Sequence, residues 1–443
     1  MSQPFSVRRL LFPLIPLYRL ALALRELRFL TGLEQVRRLR FPVVSIGNLS
    51  TGGSGKTPLT IALARALLRR GLRVDVLSRG YGRQSQWVSR VDENGSAEDF
   101  GDEPLLIACV TGVPVYVAPQ RYDAGQLAEA NATAEAEMKA EAEARQLASQ
   151  PEPDAPEPAA TQSEEPDRIG EKPPAPTETP AQTDPSAQTE PVLASIKPEL
   201  PGLNAGDEPA ASAGELAPEA APAEQSPAET PSPAEEQEEA KSSIHVHLLD
   251  DGFQHRQLAR DVNILLLNQR DWQDWLLPAG NLREPVAAIS RADVLALPAN
   301  QPELEVALRL WGWEGPIWRL VRSLEITAIN GPVAAFCGIA HPDQFFEGLE
   351  EAGLEVALRL SFPDHYTYTA GILEELIAQA RNKNVTAVIT TEKDLVRMGN
   401  LALTFPRSMP LTTARLRIKI EDQDAAIDWL INRLTPMPPH PPL

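Results

Sequence analysis

The sequence predicts an α/β fold: a parallel sheet with helices on both faces, of the P-loop NTPase kind, plus a smaller C-terminal α/β domain and a long acidic insertion expected to be disordered. Three observations predict it. Gly-Asn-Leu-Ser-Thr-Gly-Gly-Ser-Gly-Lys-Thr-Pro at 47–58 joins an apolar run to a helix-forming run. On both sides of it, short apolar runs alternate with helical stretches, the pattern of a parallel sheet. Residues 127–241 hold about 26 of the 61 acidic residues and about six of the 41 basic ones, so the net charge of −20 belongs to that stretch.

Residues 1–34 come first. Arg8, Arg9, Arg19, Arg25 and Arg28 are interleaved with leucines, and Pro13, Pro16 and Arg19 keep any apolar run well short of the ~20 residues that span a bilayer. Leucines in the acyl boundary with arginines among anionic headgroups predict an interfacial helix. The alternative is a helix packed on the protein's own core. No small-residue cleavage site follows, which argues against a signal peptide.

Residues 35–126 form the first part of the P-loop domain. A strand is predicted at 41–46 and a helix at 58–68, with the glycines between them. Gly52, Gly53 and Gly55 let backbone N–H groups turn toward an anion at the helix N-terminus. Lys56 is placed to reach the β- and γ-phosphates, and the Thr57 hydroxyl to ligand Mg²⁺. The general pattern wants glycine at position 50, and this chain has Ser50. Ser50, Thr51, Gly52, Gly53, Ser54, Gly55, Lys56 and Thr57 are the predicted ATP-binding residues; an ordinary glycine-rich turn is the plain alternative. A strand at 73–77, an exit loop at 78–83, a helix at 105–110 and a strand at 113–117 follow.

From 127 to 148 the chain is rich in alanine and glutamate, with Glu135 and Lys139 spaced for a helical ion pair. Residues 150–241 are dominated by Pro, Glu, Ala, Ser and Thr, too poor in aromatic and β-branched side chains to offset the entropy of ordering. The insertion is bounded at 127–242. The P-loop domain resumes over 243–325, with strands at 244–249, 262–267 and 294–297. Asp250 and Asp251 end the first of these, at the sheet edge where a Mg²⁺ site opposite a phosphate loop needs carboxylates.

The C-terminal domain, 326–435, reads as strand 332–336, helix 342–352, strand 354–360, helix 370–381 and strand 385–390, with a flexible tail at 436–443. Cys109 and Cys337 lie in apolar stretches and are expected to be buried thiols in a reducing compartment, with neither a disulfide framework nor metal-ligand spacing. Outside the insertion the charge is balanced, so neither the acidic pI nor an overall field says much about the folded part's partners; no nucleic acid and no protein partner are expected.

Six blocks then carry a resemblance. They are Gly47-Asn48 through Pro58; Ser78-Arg79-Gly80-Tyr81-Gly82; Gly101-Asp102-Glu103-Pro104; Asp250 to His255; Pro278-Ala279-Gly280 with Leu282-Arg283-Glu284-Pro285; and Gly338 to Pro342 followed by Asp364-His365 and Thr391 to Asp394. In these blocks and their order the chain closely resembles the tetraacyldisaccharide 4'-kinase family, the lipid A 4'-kinases of Gram-negative bacteria. The insertion is not part of that family's usual pattern.

The resemblance implies transfer of the ATP γ-phosphate to the 4'-hydroxyl of a tetraacylated glucosamine disaccharide 1-phosphate, a lipid A precursor. It implies work at the cytoplasmic face of the inner membrane, with the chain held there as a peripheral or monotopic protein by its N-terminal helix. Asp102 is the expected base and His365 its partner, with Lys56 at the donor phosphates. Read alone, Asp102 is as well a helix N-cap and His365 a surface histidine. Asp250, Asp251 and Glu284 are expected on the metal side with Thr57. Arg121 and Arg283 are expected to bind phosphate oxygens or the substrate's 1-phosphate. The competing reading is a membrane-associated P-loop ATPase switch controlled by a protein partner. Such switches carry a lysine just before the paired glycines, where this chain has Thr51.

Overall fold

The fold is that of a computed structural model, which describes residues 7–148 and 244–435. Most of the insertion and the tail therefore lie outside the described residues. Among the described residues twelve strands form the sheet: β1 Val43–Asn48, β2 Arg73–Ser78, β3 Ser89–Arg90, β4 Val115–Val117, β5 His245–Asp250, β6 Val262–Leu266, β7 Val294–Pro298, β8 Ile317–Glu325, β9 Val333–Cys337, β10 Val356–Ser361, β11 Ala387–Thr391 and β12 Leu411–Ile420. Their order is β10-β9-β11-β12-β8-β7-β6-β1-β5-β2-β4-β3. All neighbours run parallel except β12 with β8 and β3 with β4.

The central strands are apolar on both sides because both faces are covered. Val44, Ile46, Val246 and Leu248 pack in a cluster with the helices Lys56–Arg69 and Gln423–Leu434. Val43, Leu77 and Leu249 point the other way, against Ala124 and Ala128 of the helix Arg121–Ala148. Each fully buried leucine or isoleucine stabilises the fold by about 1.5–3 kcal/mol. Glu135 of that long helix pairs with Arg90 of β3 at 3.3 Å, and Lys139 with Glu143 at 3.7 Å, in place of the expected Glu135–Lys139 pair.

The C-terminal subdomain is the β10-β9-β11-β12 end of the sheet, covered by the helices Pro342–Glu351, Ala370–Asn382 and Glu392–Met398. Strands β8 and β12, absent from the sequence reading, join it to the P-loop part. β12 pairs with β11 on one side and β8 on the other, so the sheet is continuous. Helix Asp102–Thr111 starts three residues earlier than expected, with Asp102 in its first turn. One cysteine differs from expectation. Cys337 is buried in β9, but Cys109 faces outward from the helix Asp102–Thr111 and is exposed.

At the N-terminus a 3₁₀ turn at Val7–Leu14 leads into the helix Ile15–Leu30. One side of it docks: Ile15, with Phe12, Tyr18 and Leu22, packs on the cluster containing Leu276, Leu282 and Leu308. The Tyr18 hydroxyl donates to the Arg283 carbonyl at 2.8 Å. Leu10, Leu17, Leu20, Leu24, Leu27 and Leu30 remain exposed. Among the described residues no helix is long and apolar enough to cross a membrane.

Candidate active site

Because β1, β5, β2 and β4 run parallel, their carboxyl ends gather at one edge, where ligands bind in open α/β sheets. β1 ends at Asn48 and enters the glycine loop. Gly55 caps the helix Lys56–Arg69 with φ +90°, a conformation that side chains rarely adopt. A Cβ there would also stand 2.9 Å from the Arg322 guanidinium, which would have to move aside, and 3.3 Å from Ile418; it is the backbone conformation that demands glycine.

The loop is pinned from two sides. Thr51 N–H donates to the Asn281 carbonyl at 2.8 Å, and Arg283 N–H to the Leu49 carbonyl at 2.7 Å. From β8, Arg322 donates to the Ser54 carbonyl at 2.9 Å. Lys56 bridges Asn48, whose side-chain oxygen accepts at 3.1 Å, and Asp251, 3.4 Å away. Ser50 Oγ accepts from the Asn48 amide at 3.1 Å, so the serine at the departing position fixes the residue that holds Lys56. Thr57 is buried at the start of the helix.

The carboxylates after β5 differ in state. Asp250 is fully buried and accepts from Thr60 at 3.0 Å; burial, then Glu103 and Asp251, pushes its pKa up to about 7. Asp251 adopts a left-handed conformation, φ +49°. Burial raises its pKa, but Lys56 and Arg283 together outweigh that and hold it below the usual carboxylate value. Arg283 reaches it at 3.2 Å. Arg121 is buried at the start of its helix beside Asp251, Asp250 and Arg79, its Nε without a hydrogen-bond partner among the described residues; burial pulls its pKa down to about 10. Close by, His255 is pulled down to about 3 by burial and by Arg121, Arg260, Arg25 and Arg79, which marks a concentration of positive charge.

Glu284 stands with a different set. It pairs with Arg291, and Arg25 of the N-terminal helix lies 3.9 Å away. Among the described residues no hydrogen bond or ion pair joins it to Thr57, Asp250 or Asp251.

Asp102 and His365, from opposite halves of the chain, do meet, with Asp102 Oδ2 3.1 Å from His365 Nδ1. Asp102 is buried and His365 is a third exposed, in a left-handed conformation with φ +60°. Both sit on Arg397, which sequence reasoning missed. Its Nε donates to Asp102 Oδ2 at 2.9 Å and its Nη1 to Asp394 at 2.9 Å. Asp394 in turn accepts from Tyr368 at 3.0 Å and from Gly338 N–H at 3.1 Å. Burial pushes the Asp102 pKa up, but the His365 hydrogen bond and the Arg397 charge hold it far below the usual range. His365 is raised, chiefly by its hydrogen bond to Asp102. The signal for Arg397 was its spacing from Asp394, one helical turn later.

The protein-family model for Tetraacyldisaccharide-1-P 4'-kinase matches residues 7–137 and 187–435. The chain belongs to that family. Among similar curated proteins, the tetraacyldisaccharide 4'-kinase of Koribacter versatilis is 32% identical over 95% of this chain and 97% of its own length. That of Pelobacter propionicus is 29% identical over 97% and 93%. A crystal structure of the Aquifex aeolicus family member, LpxK, in complex with ATP superposes with a TM-score of 0.58 at 26% identity, covering 97% of this chain and all of that one. The glycine loop, the Asp102 turn and the His365 loop thus stand in a chain that belongs to a kinase family.

Proposed function

We propose that this chain transfers the γ-phosphate of ATP to the 4'-hydroxyl of a tetraacyldisaccharide 1-phosphate, the lipid A precursor on which the family acts. The observation that carries the reading is the gathering, in one compact unit, of a lysine-bearing phosphate loop and an Asp102–His365 pair whose two members come from opposite halves of the chain.

Phosphoryl transfer relies on positioning and charge neutralisation more than on covalent chemistry. Loop N–H groups and Lys56 take the donor phosphates. Asp102 accepts the proton of the attacking hydroxyl, and His365, favoured as the imidazolium, holds that carboxylate in place by donating from Nδ1. Asp102 is a weak base in this setting. In a loose transition state the hydroxyl proton leaves late, so its position counts for more than its strength.

Thr57, Asp250 and Asp251 offer the hard oxygen donors that suit Mg²⁺, and the raised pKa of Asp250 beside Asp251 fits a pair that needs a cation to ionise fully. Bound there, Mg²⁺ would neutralise charge on the donor phosphates. Arg121, Arg283 and the positive group around His255 suit phosphate oxygens of donor or acceptor. The exposed leucines of the helix Ile15–Leu30 suit the interface of the cytoplasmic leaflet, where a four-chain acceptor resides.

The test is ATP-dependent phosphorylation of tetraacyldisaccharide 1-phosphate in detergent micelles. Formation of the 4'-phosphorylated product supports the reading. Purified protein that binds ATP and leaves this acceptor unmodified overturns it.

A further inference from the structure

At the amino-terminal end of β2 and β5, the sheet end opposite the phosphate loop, two strands bring metal-ligating side chains together. His245 and His247 are two residues apart on β5 and so share one face, and Asp75 on β2 is the cross-strand neighbour of His247. One donor atom from each lies within 4.8 Å of the others. Asp75 Oδ2 is 2.6 Å from His245 Nε2 and 3.5 Å from His247 Nδ1. All three residues are buried, His247 completely, and among the described residues neither ring nitrogen of His247 makes a hydrogen bond. A buried polar group left in that state costs free energy.

The surroundings are built. Glu129, on the helix Arg121–Ala148, places Oε1 3.7 Å from His247 Nε2. The same oxygen accepts the backbone N–H groups of Arg40 and, at 3.0 Å, Phe41. The Phe41 ring stacks on His245 with centroids 4.3 Å apart, closing that side to water.

We propose that Asp75, His245 and His247 form a second metal site, for a borderline divalent cation such as Zn²⁺, with Glu129 orienting His247. Two imidazoles and a carboxylate suit zinc, whereas Mg²⁺ prefers oxygen alone. With bonds of about 2.0–2.2 Å, tetrahedral donors stand roughly 3.3–3.6 Å apart. To reach that, the Asp75–His245 pair opens from 2.6 Å while the wider separations, within 4.8 Å, close, by side-chain rotations of about an ångström. A ligating histidine commonly gives its second N–H to a carboxylate, which is where Glu129 stands relative to Nε2. The carboxylates of Asp75 and Glu129 beside these imidazoles add negative charge that suits a dication.

The role is structural. His245 lies five residues before Asp250 along β5, roughly 17 Å at the rise of a strand. Asp75 and Glu129 precede residues 149–243 in the chain and His245 and His247 follow them, so the ion ties together the two chain segments flanking that stretch. Binding to the folded form alone adds to its stability.

The test titrates untagged, chelator-stripped full-length protein with Co²⁺ in saturating Mg²⁺ and ATP. The expected result is a single equivalent with the visible absorption of tetrahedral cobalt, displaced by Zn²⁺, and a higher melting temperature with Zn²⁺. Asp75→Asn and His247→Gln should abolish the absorption, and Glu129→Gln should weaken affinity tenfold or more, with Mg²⁺-ATP binding unchanged. Wild-type protein showing neither the absorption nor a zinc-dependent melting shift overturns the proposal without any variant needing to fold. An absorption that survives both ligand substitutions overturns it equally.

Discussion

Arg397 joins Asp102 and Asp394: its Nε donates to Asp102 Oδ2 at 2.9 Å and its Nη1 to Asp394 Oδ1 at the same distance. The guanidinium therefore spans from the helix Asp102–Thr111 to the helix Glu392–Met398, with both carboxylates buried. Removing it strands two buried charges. Arg397→Met should lower folding stability by about 3–5 kcal/mol, read by chemical denaturation. Arg397→Lys keeps the charge but loses the fork, and should fold while losing turnover. Wild-type stability in Arg397→Met would contradict this account of the pair.

The ionisation of the dyad predicts a pH dependence. The folded His365 pKa is raised, so its contribution to stability is full below the ordinary histidine value of about 6.5 and is lost as pH climbs through the raised folded value. The folded Asp102 pKa is depressed, so its contribution holds above the ordinary carboxylate value and is lost as pH falls through the folded one. Turnover should therefore decline on the alkaline side as the imidazolium deprotonates, and His365→Asn should erase that limb while lowering the plateau. An unchanged alkaline limb in His365→Asn would assign it to another group.

Gly55→Ala should abolish nucleotide binding with the fold largely retained. The new methyl meets Arg322 at 2.9 Å in a backbone conformation unfavourable to alanine. Isothermal titration with ATP measures it; affinity within twofold of wild type would sink the loop assignment.

Deleting residues 150–241 should leave phosphorylation of the acceptor within about threefold of wild type, since that composition offers little apolar surface to bury. A deletion variant that folds, by circular dichroism, yet has no activity would show that the segment does more than link.

Much of the fold was legible because the central strands are continuous apolar runs and the helices between them carry apolar faces; β1, β5 and β9 needed only that pattern. β12 was missed although its alternation is present. Arg415, Arg417 and Lys419 alternate with Leu416, Ile418 and Ile420, and only the last two of those apolar residues are buried. The site was legible where backbone chemistry demands particular residues, as in the glycine loop and the paired aspartates. The meeting of Asp102 with His365 came from the family resemblance, because no local pattern announces a contact between a helix start and a loop so far apart in the chain. Arg397 was hidden because a basic residue in the last turn of a helix already has an ordinary explanation, its interaction with the helix dipole. Cys109 misled because the apolar run around it is a helix with one outward face.

The central claim is that the glycine loop holds the donor while Asp102 and His365 serve the acceptor. The most direct measurement compares Lys56→Ala and Asp102→Asn in the same acceptor assay, with ATP affinity determined separately for each. Asp102→Asn should cut turnover by roughly 10²–10⁴ with ATP affinity within about threefold of wild type, while Lys56→Ala should weaken ATP binding as well as turnover. Equal losses of ATP affinity in the two variants, or an Asp102→Asn enzyme that turns over normally, would contradict the account.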